Sequence, residues 1–173
     1  MKRSKIVGAV LVAMFALAGA APSHGSDAEL ELLTSYVGNW RGEGALVGGD
    51  RPEPFRCRLN IAKGNQTKVN YTGRCTLVDA TLSISGTIAF NDDQKRYEAA
   101  MSSNAGFTGL AVGRQSQGQI SFDLKEQQKD RAGSDVRIGS RILLQGNDSI
   151  TVDFEVEFNN SGRVLTATVP FAK

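Results

Sequence analysis

The 173-residue chain has one histidine, one tryptophan and two cysteines, and each scarcity excludes a class of chemistry. Hydrolysis of the serine–histidine–acid type needs a base placed by the fold. The single histidine, His24, lies in a small polar lead, "APSHGSD", where a side chain acts as a spacer. Zinc is excluded on the same ground, since Cys57 and Cys75 stand eighteen positions apart with no metal-ligand spacing. No run beyond residue 21 is apolar for the roughly twenty residues a membrane-spanning helix needs. The carboxylates Asp153, Glu155 and Glu157 fall on the solvent face of a strand. "NDDQ", Asn91 to Gln94, reads as a turn with too few oxygen ligands for calcium. Gly106, Gly109 and Gly113 do not join a strand to a helix, as a phosphate loop would. Facing into a barrel, they either relieve crowding or admit a ligand. No catalytic residue and no metal site emerge, and the protein is expected not to be an enzyme.

What is present begins with a leader. "MKRSK" is basic, "IVGAVLVAMFALAGA" is an unbroken apolar run, and Ala18-Gly19-Ala20 is a small-residue exit. Together they form the pattern of a secretory signal peptide over residues 1–20, leaving one domain over 21–173. The expected location is periplasmic or secreted. The whole chain carries 20 Lys+Arg and 18 Asp+Glu; without Lys2, Arg3 and Lys5 the balance is 17 to 18, a net of −1. The basic character therefore belongs to the leader and gives no reason to expect a nucleic-acid partner. In an oxidising compartment the even cysteine pair reads as a Cys57–Cys75 disulfide.

The mature part opens with a helical pattern in "SDAELELLTSYVG", with Ser26 or Asp27 as N-cap, an apolar stripe through Leu30, Leu33 and Tyr36/Val37, and Gly38 as its end. From Trp40 onward the period is two, with turn residues between segments, which predicts about ten strands. Two hairpins can be registered. Cys57 opposite Cys75 sets Leu59 against Gly73, Ile61 against Tyr71 and Lys63 against Val69. Gln145 opposite Ser149, around a turn at Gly146-Asn147-Asp148, sets Leu144 against Ile150, Ile142 against Val152 and Ile138 against Val156. It also opposes Arg141 to Asp153 and Arg137 to Glu157 on the outer face, a favourable cross-strand pairing. An antiparallel set of this size must hide its apolar face in a barrel or a two-sheet sandwich. Sequential short hairpins favour an all-β, up-and-down barrel with a short N-terminal helix.

The run Gly38-Asn39-Trp40-Arg41-Gly42-Glu43-Gly44, following a short helix and opening the first strand, resembles the calycin superfamily with its lipocalin-type Gly-x-Trp signature. It looks most like the opening of nitrobindin-like, ten-stranded haem-binding barrels. The resemblance implies that Trp40 packs across the closed end of the barrel beneath an arginine from a late strand, for which Arg163 is the candidate. It also implies haem held by a histidine late in the chain, yet the ending "SGRVLTATVPFAK" has none. No cofactor is therefore expected. Tyr71, Tyr97 and Met101 are conceivable iron ligands, but core packing explains each of them better.

The leading expectation is a non-enzymatic barrel that binds a small hydrophobic molecule in its interior, lined by Tyr71, Ile84, Tyr97, Met101, Phe122 and Phe154. Two alternatives stand beside it. The same side chains can simply fill the barrel. Or the domain binds a protein, resembling bacterial metalloprotease inhibitors, through a free arm at Ala21–Asp27.

Overall fold

The computed structural model describes residues 25–78, 80–129, 132–146 and 149–173. The proposed leader, His24, most of the proposed arm and the Asn147-Asp148 step of the second hairpin lie outside them. Helix α1 (Gly25–Ser35) precedes β1 (Gly38–Leu46), β2 (Glu53–Lys63), β3 (Lys68–Thr76), β4 (Thr81–Asn91) and β5 (Arg96–Ser103). Then come β6 (Thr108–Ser116), β7 (Gln119–Lys129), β8 (Asp135–Leu144), β9 (Ile150–Phe158) and β10 (Val164–Ala172). Each strand pairs antiparallel with its sequence neighbour and β1 closes on β10, so the domain is a closed up-and-down barrel and not a sandwich. Two seams are short. β1 meets β10 at Arg41↔Ala172 and Gly42↔Phe171, and β6 meets β7 only from Gly113↔Phe122 to Ser116↔Gln119.

Alternating side chains decide what faces the core. On β2, Phe55, Cys57, Leu59 and Ile61 are buried while Arg56, Arg58 and Asn60 are exposed. Both hairpin registers hold residue by residue, from Cys57↔Cys75 to Lys63↔Val69 and from Arg137↔Glu157 to Leu144↔Ile150. The disulfide is formed, with its Cα atoms 4.0 Å apart, a close approach that directly opposed antiparallel residues permit. Among the described residues no helix is long and apolar enough to cross a membrane.

Three local expectations change. Helix α1 starts at Gly25, so Ser26 and Asp27 belong to its first turn and not to an N-cap, and it stops at Ser35. Gly38, at φ 146°, opens β1 instead of ending the helix, a conformation that favours glycine. On the outer face Arg137 does bridge Glu157, and Arg141 stands opposite Asp153 in register, but its Nε pairs with Asp123 on β7 at 2.7 Å. Asp153 instead accepts from the Thr168 hydroxyl at 2.7 Å. Strand β8 has a neighbour on each side, and a hairpin register considers one of them.

The closed end forms where α1 enters β1. Trp40 is fully buried, and its Nε1–H donates to the Tyr36 carbonyl at 2.9 Å. The Tyr36 hydroxyl accepts the Gly146 N–H at 2.9 Å, tying the β8–β9 turn to the helix exit. Burial raises the Tyr36 pKa, an effect the Gly146 hydrogen bond partly opposes. Tyr97 at the start of β5 donates its hydroxyl to Glu29 on α1. The cation over Trp40 is Lys173, with Nζ 4.8 Å from the ring centroid and donating to the Ser35 carbonyl at 2.9 Å. Arg163 instead covers Phe158, at 4.9 Å. The reason is direction: β10 runs antiparallel to β1, so the residue after it reaches the closed end and the residue before it sits at the other.

Candidate functional site at the barrel mouth

Apolar residues face inward along the whole barrel, but they reach two different states. One buried cluster, which includes Leu33, Trp40, Tyr97, Phe122 and Phe171, fills the helix-capped end and continues through Cys57 and Phe55 toward the other. Toward the opposite end a separate, smaller cluster of Val136, Ile138 and Val156 is joined by half-buried Phe107, Phe154 and Phe158. Phe107 reaches it from the β5–β6 turn, across the mouth from β8 and β9. A void of about 20 Å³ lies at the boundary, lined among others by Tyr71, Met101, Phe122, Leu124, Ser140 and Ile142. Such a space holds about one water molecule.

The six expected lining residues divide accordingly. Tyr71, Tyr97 and Phe122 are buried in the core, whereas Ile84, Met101 and Phe154 are half-buried on the mouth side. Tyr71 donates its hydroxyl to the Ala100 carbonyl at 3.1 Å, and burial pushes its pKa up to about 12. Inward glycines serve the packing. A Cβ on Gly113 would stand 2.4 Å from the Phe122 ring, and one on Gly109 would stand 2.7 Å from the Leu124 side chain. At Gly109 and Gly113 the choice falls on relieved crowding, whereas Gly106, at φ 89° in the β5–β6 turn, meets nothing within 4 Å and does not face into the barrel. Phe107 and Phe158 were not among the expected lining residues. Their positions at the turn-proximal ends of strands are the signal, because inward side chains there lack a full ring of neighbours.

The mouth therefore offers apolar and aromatic walls, a methionine thioether and, at its rim, the Arg163 guanidinium stacked on Phe158. Among the described residues no three His, Cys, Asp or Glu side chains gather as a metal site.

A family model described as the THAP4-like, heme-binding beta-barrel domain matches residues 29–168. Rv2717c from M. tuberculosis shares the fold at 16% identity, over 84% of this chain and 96% of that one, with a TM-score of 0.63. The S-type phycobiliprotein lyase CPES from Guillardia theta does so at 13% identity, over 84% and 94%, with a TM-score of 0.52. At these identities the likeness is one of fold. No curated protein matches the sequence at a significant level.

The family match corrects the expectation that the protein takes no cofactor: a haem-binding family leaves haem open to this barrel. The residues present fit one part of that group. The half-buried aromatic walls suit a flat macrocycle, and Arg163 suits its acidic edge. For the iron, the described residues offer no histidine, and the hydroxyls of Tyr36, Tyr71 and Tyr97 are held in hydrogen bonds. Met101 is the soft donor nearest the mouth.

Proposed function

The chain belongs to the family of THAP4-like, heme-binding β-barrel domains, and on that premise we propose that it is an exported carrier taking a flat, mostly apolar ligand of the tetrapyrrole class at the barrel mouth. One observation carries this reading: at the end away from α1 three inward aromatic rings, Phe107, Phe154 and Phe158, stay half-buried beside buried Val136 and Ile138, whereas Trp40 and Tyr97 at the capped end are fully packed. The ligand slides between the two clusters, displacing Phe107 and lying against Ile84, Met101 and Phe154, while Arg163 meets a carboxylate on its edge. Contact is apolar in the main, so the ring contributes more to affinity than any metal at its centre.

Carriage fits better than catalysis, because the buried tyrosine hydroxyls all serve as structural ties. Export is supported by the leader pattern of residues 1–20 and by the formed disulfide, which persists in oxidising compartments. The protein-binding alternative has less support, since residues 25–27 of the proposed arm lie in α1, which packs on the closed end.

Titration with haem and with metal-free protoporphyrin, read by absorbance and by quenching of Trp40, tests the proposal. Both ligands should bind with dissociation constants within about tenfold of each other, a gap of about 1.4 kcal/mol. Phe154→Ala and Met101→Ala should weaken both together. If neither porphyrin binds, the reading fails; if only haem binds, apolar contact is not what holds it. Intact mass of protein recovered from its native envelope should show residues 1–20 removed, and a full-length mass would sink the export claim.

A further inference from the structure

A trough of about 870 Å³ crosses the outer wall of the barrel over β1–β5, from Trp40 to Ser103, where it ends beside the Phe107 turn. Its floor follows the cross-strand row from Trp40 to Ser103, whose side chains point inward, so the walls are the outward rows on either side. One wall is neutral and hydrogen-bonding: Asn39, Asn60, Thr72, Ser85 and Ser102. The other begins with three arginines in direct register, Arg41↔Arg58↔Arg74, and continues to Ser83.

No acid lines this trough. The ion pairs among the described residues engage other cations, and the nearest outer-face acid, Glu43, is turned to Arg56 at 3.1 Å. Like charges directly opposed across strands are unfavourable, so the row is stabilised by an anion laid along it. Arginine offers planar, paired donors that match carboxylate, sulfate or phosphate oxygens. The parallel row of amides and hydroxyls matches a ligand that carries hydroxyl groups beside its charges.

We propose that this trough binds a linear acidic oligosaccharide, its anions on Arg41, Arg58 and Arg74 and its hydroxyls on the Asn/Thr/Ser row. Five strands at spacings of about 4.8 Å give a path of roughly 19 Å, long enough for several sugar units. Single-stranded nucleic acid is less suited, because it relies on bases stacking on exposed rings and the trough exposes none; Trp40 lies fully buried beneath it. A flat bilayer surface does not enter a concavity.

Calorimetric titration of the purified protein with oligogalacturonate tests the idea, with oligothymidylate and phosphatidylglycerol vesicles as comparison ligands. Oligogalacturonate should bind, and its affinity should fall severalfold as salt screens the arginines. The triple variant Arg41→Ser, Arg58→Ser, Arg74→Ser should lose at least about tenfold in affinity while keeping its unfolding transition, since all three side chains are exposed. If that variant does not fold, Arg58→Glu alone replaces it, with the same loss expected. Absence of oligogalacturonate binding, unchanged binding by the variant, or tighter binding of the oligonucleotide or vesicles overturns the proposal. Porphyrin binding at the mouth should be untouched by these substitutions, so this site and the mouth stand or fall separately.

Discussion

At the closed end Trp40, Leu33 and Ile120 are wholly buried, whereas at the mouth Met101, Phe154 and Phe158 keep part of their surface in water. The same ten alternating strands build both ends. The difference comes from what covers them: α1 lies across one end, its Leu33 and Tyr36 completing the core, whereas among the described residues the other is covered by turn side chains such as Leu77 and Phe107. The mouth receives compensation of another kind, because the Cys57–Cys75 bond joins β2 to β3 near their mouth-side ends. A packed end can carry stability, and on the proposed reading the more open end accepts the ligand.

That contrast can be broken at its strongest point first. Trp40→Ala should destabilise by about 3–5 kcal/mol, the range for truncating a buried aromatic, while Phe154→Ala at the mouth should cost about 1–2 kcal/mol for a half-buried ring. Denaturant unfolding of both variants checks this, and equal losses would erase the distinction. Reduction of the disulfide should remove about 3 kcal/mol on the chain-entropy account. The first amides to gain hydrogen exchange should then lie on β2 and β3 near the mouth; loss spread evenly over the barrel would contradict the stapling role.

The buried hydroxyl at the boundary gives a pH signature. The Tyr71 pKa rises from 10.0 to about 12 because burial disfavours the phenolate. A raised folded pKa means the contribution is intact below pH 10 and is lost as pH climbs from 10 toward 12. Two units correspond to roughly 2–3 kcal/mol. Alkaline denaturation followed by circular dichroism should therefore be shallower in Tyr71→Phe, at a cost of about 1 kcal/mol near neutrality for the lost hydrogen bond to Ala100. Smallest is the cation over the indole: Lys173→Met should cost about 0.5–1 kcal/mol and shift the emission of Trp40. Arg163→Met should leave that emission unchanged, and a shift there would contradict the assignment of Lys173.

Much of the barrel is legible in the sequence. The Cys57–Cys75 register can be read because a disulfide sets its two cysteines opposite each other, and the Arg137-to-Leu144 pairing with Ile150 to Glu157 because one register satisfies both faces. The mouth was half legible. Period two marks Ile84, Met101 and Phe154 as inward, but it marks Tyr71, Tyr97 and Phe122 alike and does not say how far along the barrel axis a residue sits. Of the arginine row, Arg58 opposite Arg74 follows from the Cys57–Cys75 register, but Arg41 joins them only through the pairing of β1 with β2.

The sequence by itself determined the strand alternation, the two hairpin registers, the partner of each cysteine and the seam at which a short helix passes into the Trp40 strand. These depend on neighbours in the chain or across one turn. Tertiary structure alone decided that the interior closes to a void of about 20 Å³, that Lys173 and not Arg163 covers Trp40, and that Arg141 turns to Asp123. Each of those outcomes depends on barrel closure. Closure sets which strand end meets which, gives every strand a second neighbour, and fixes the volume that inward side chains must share.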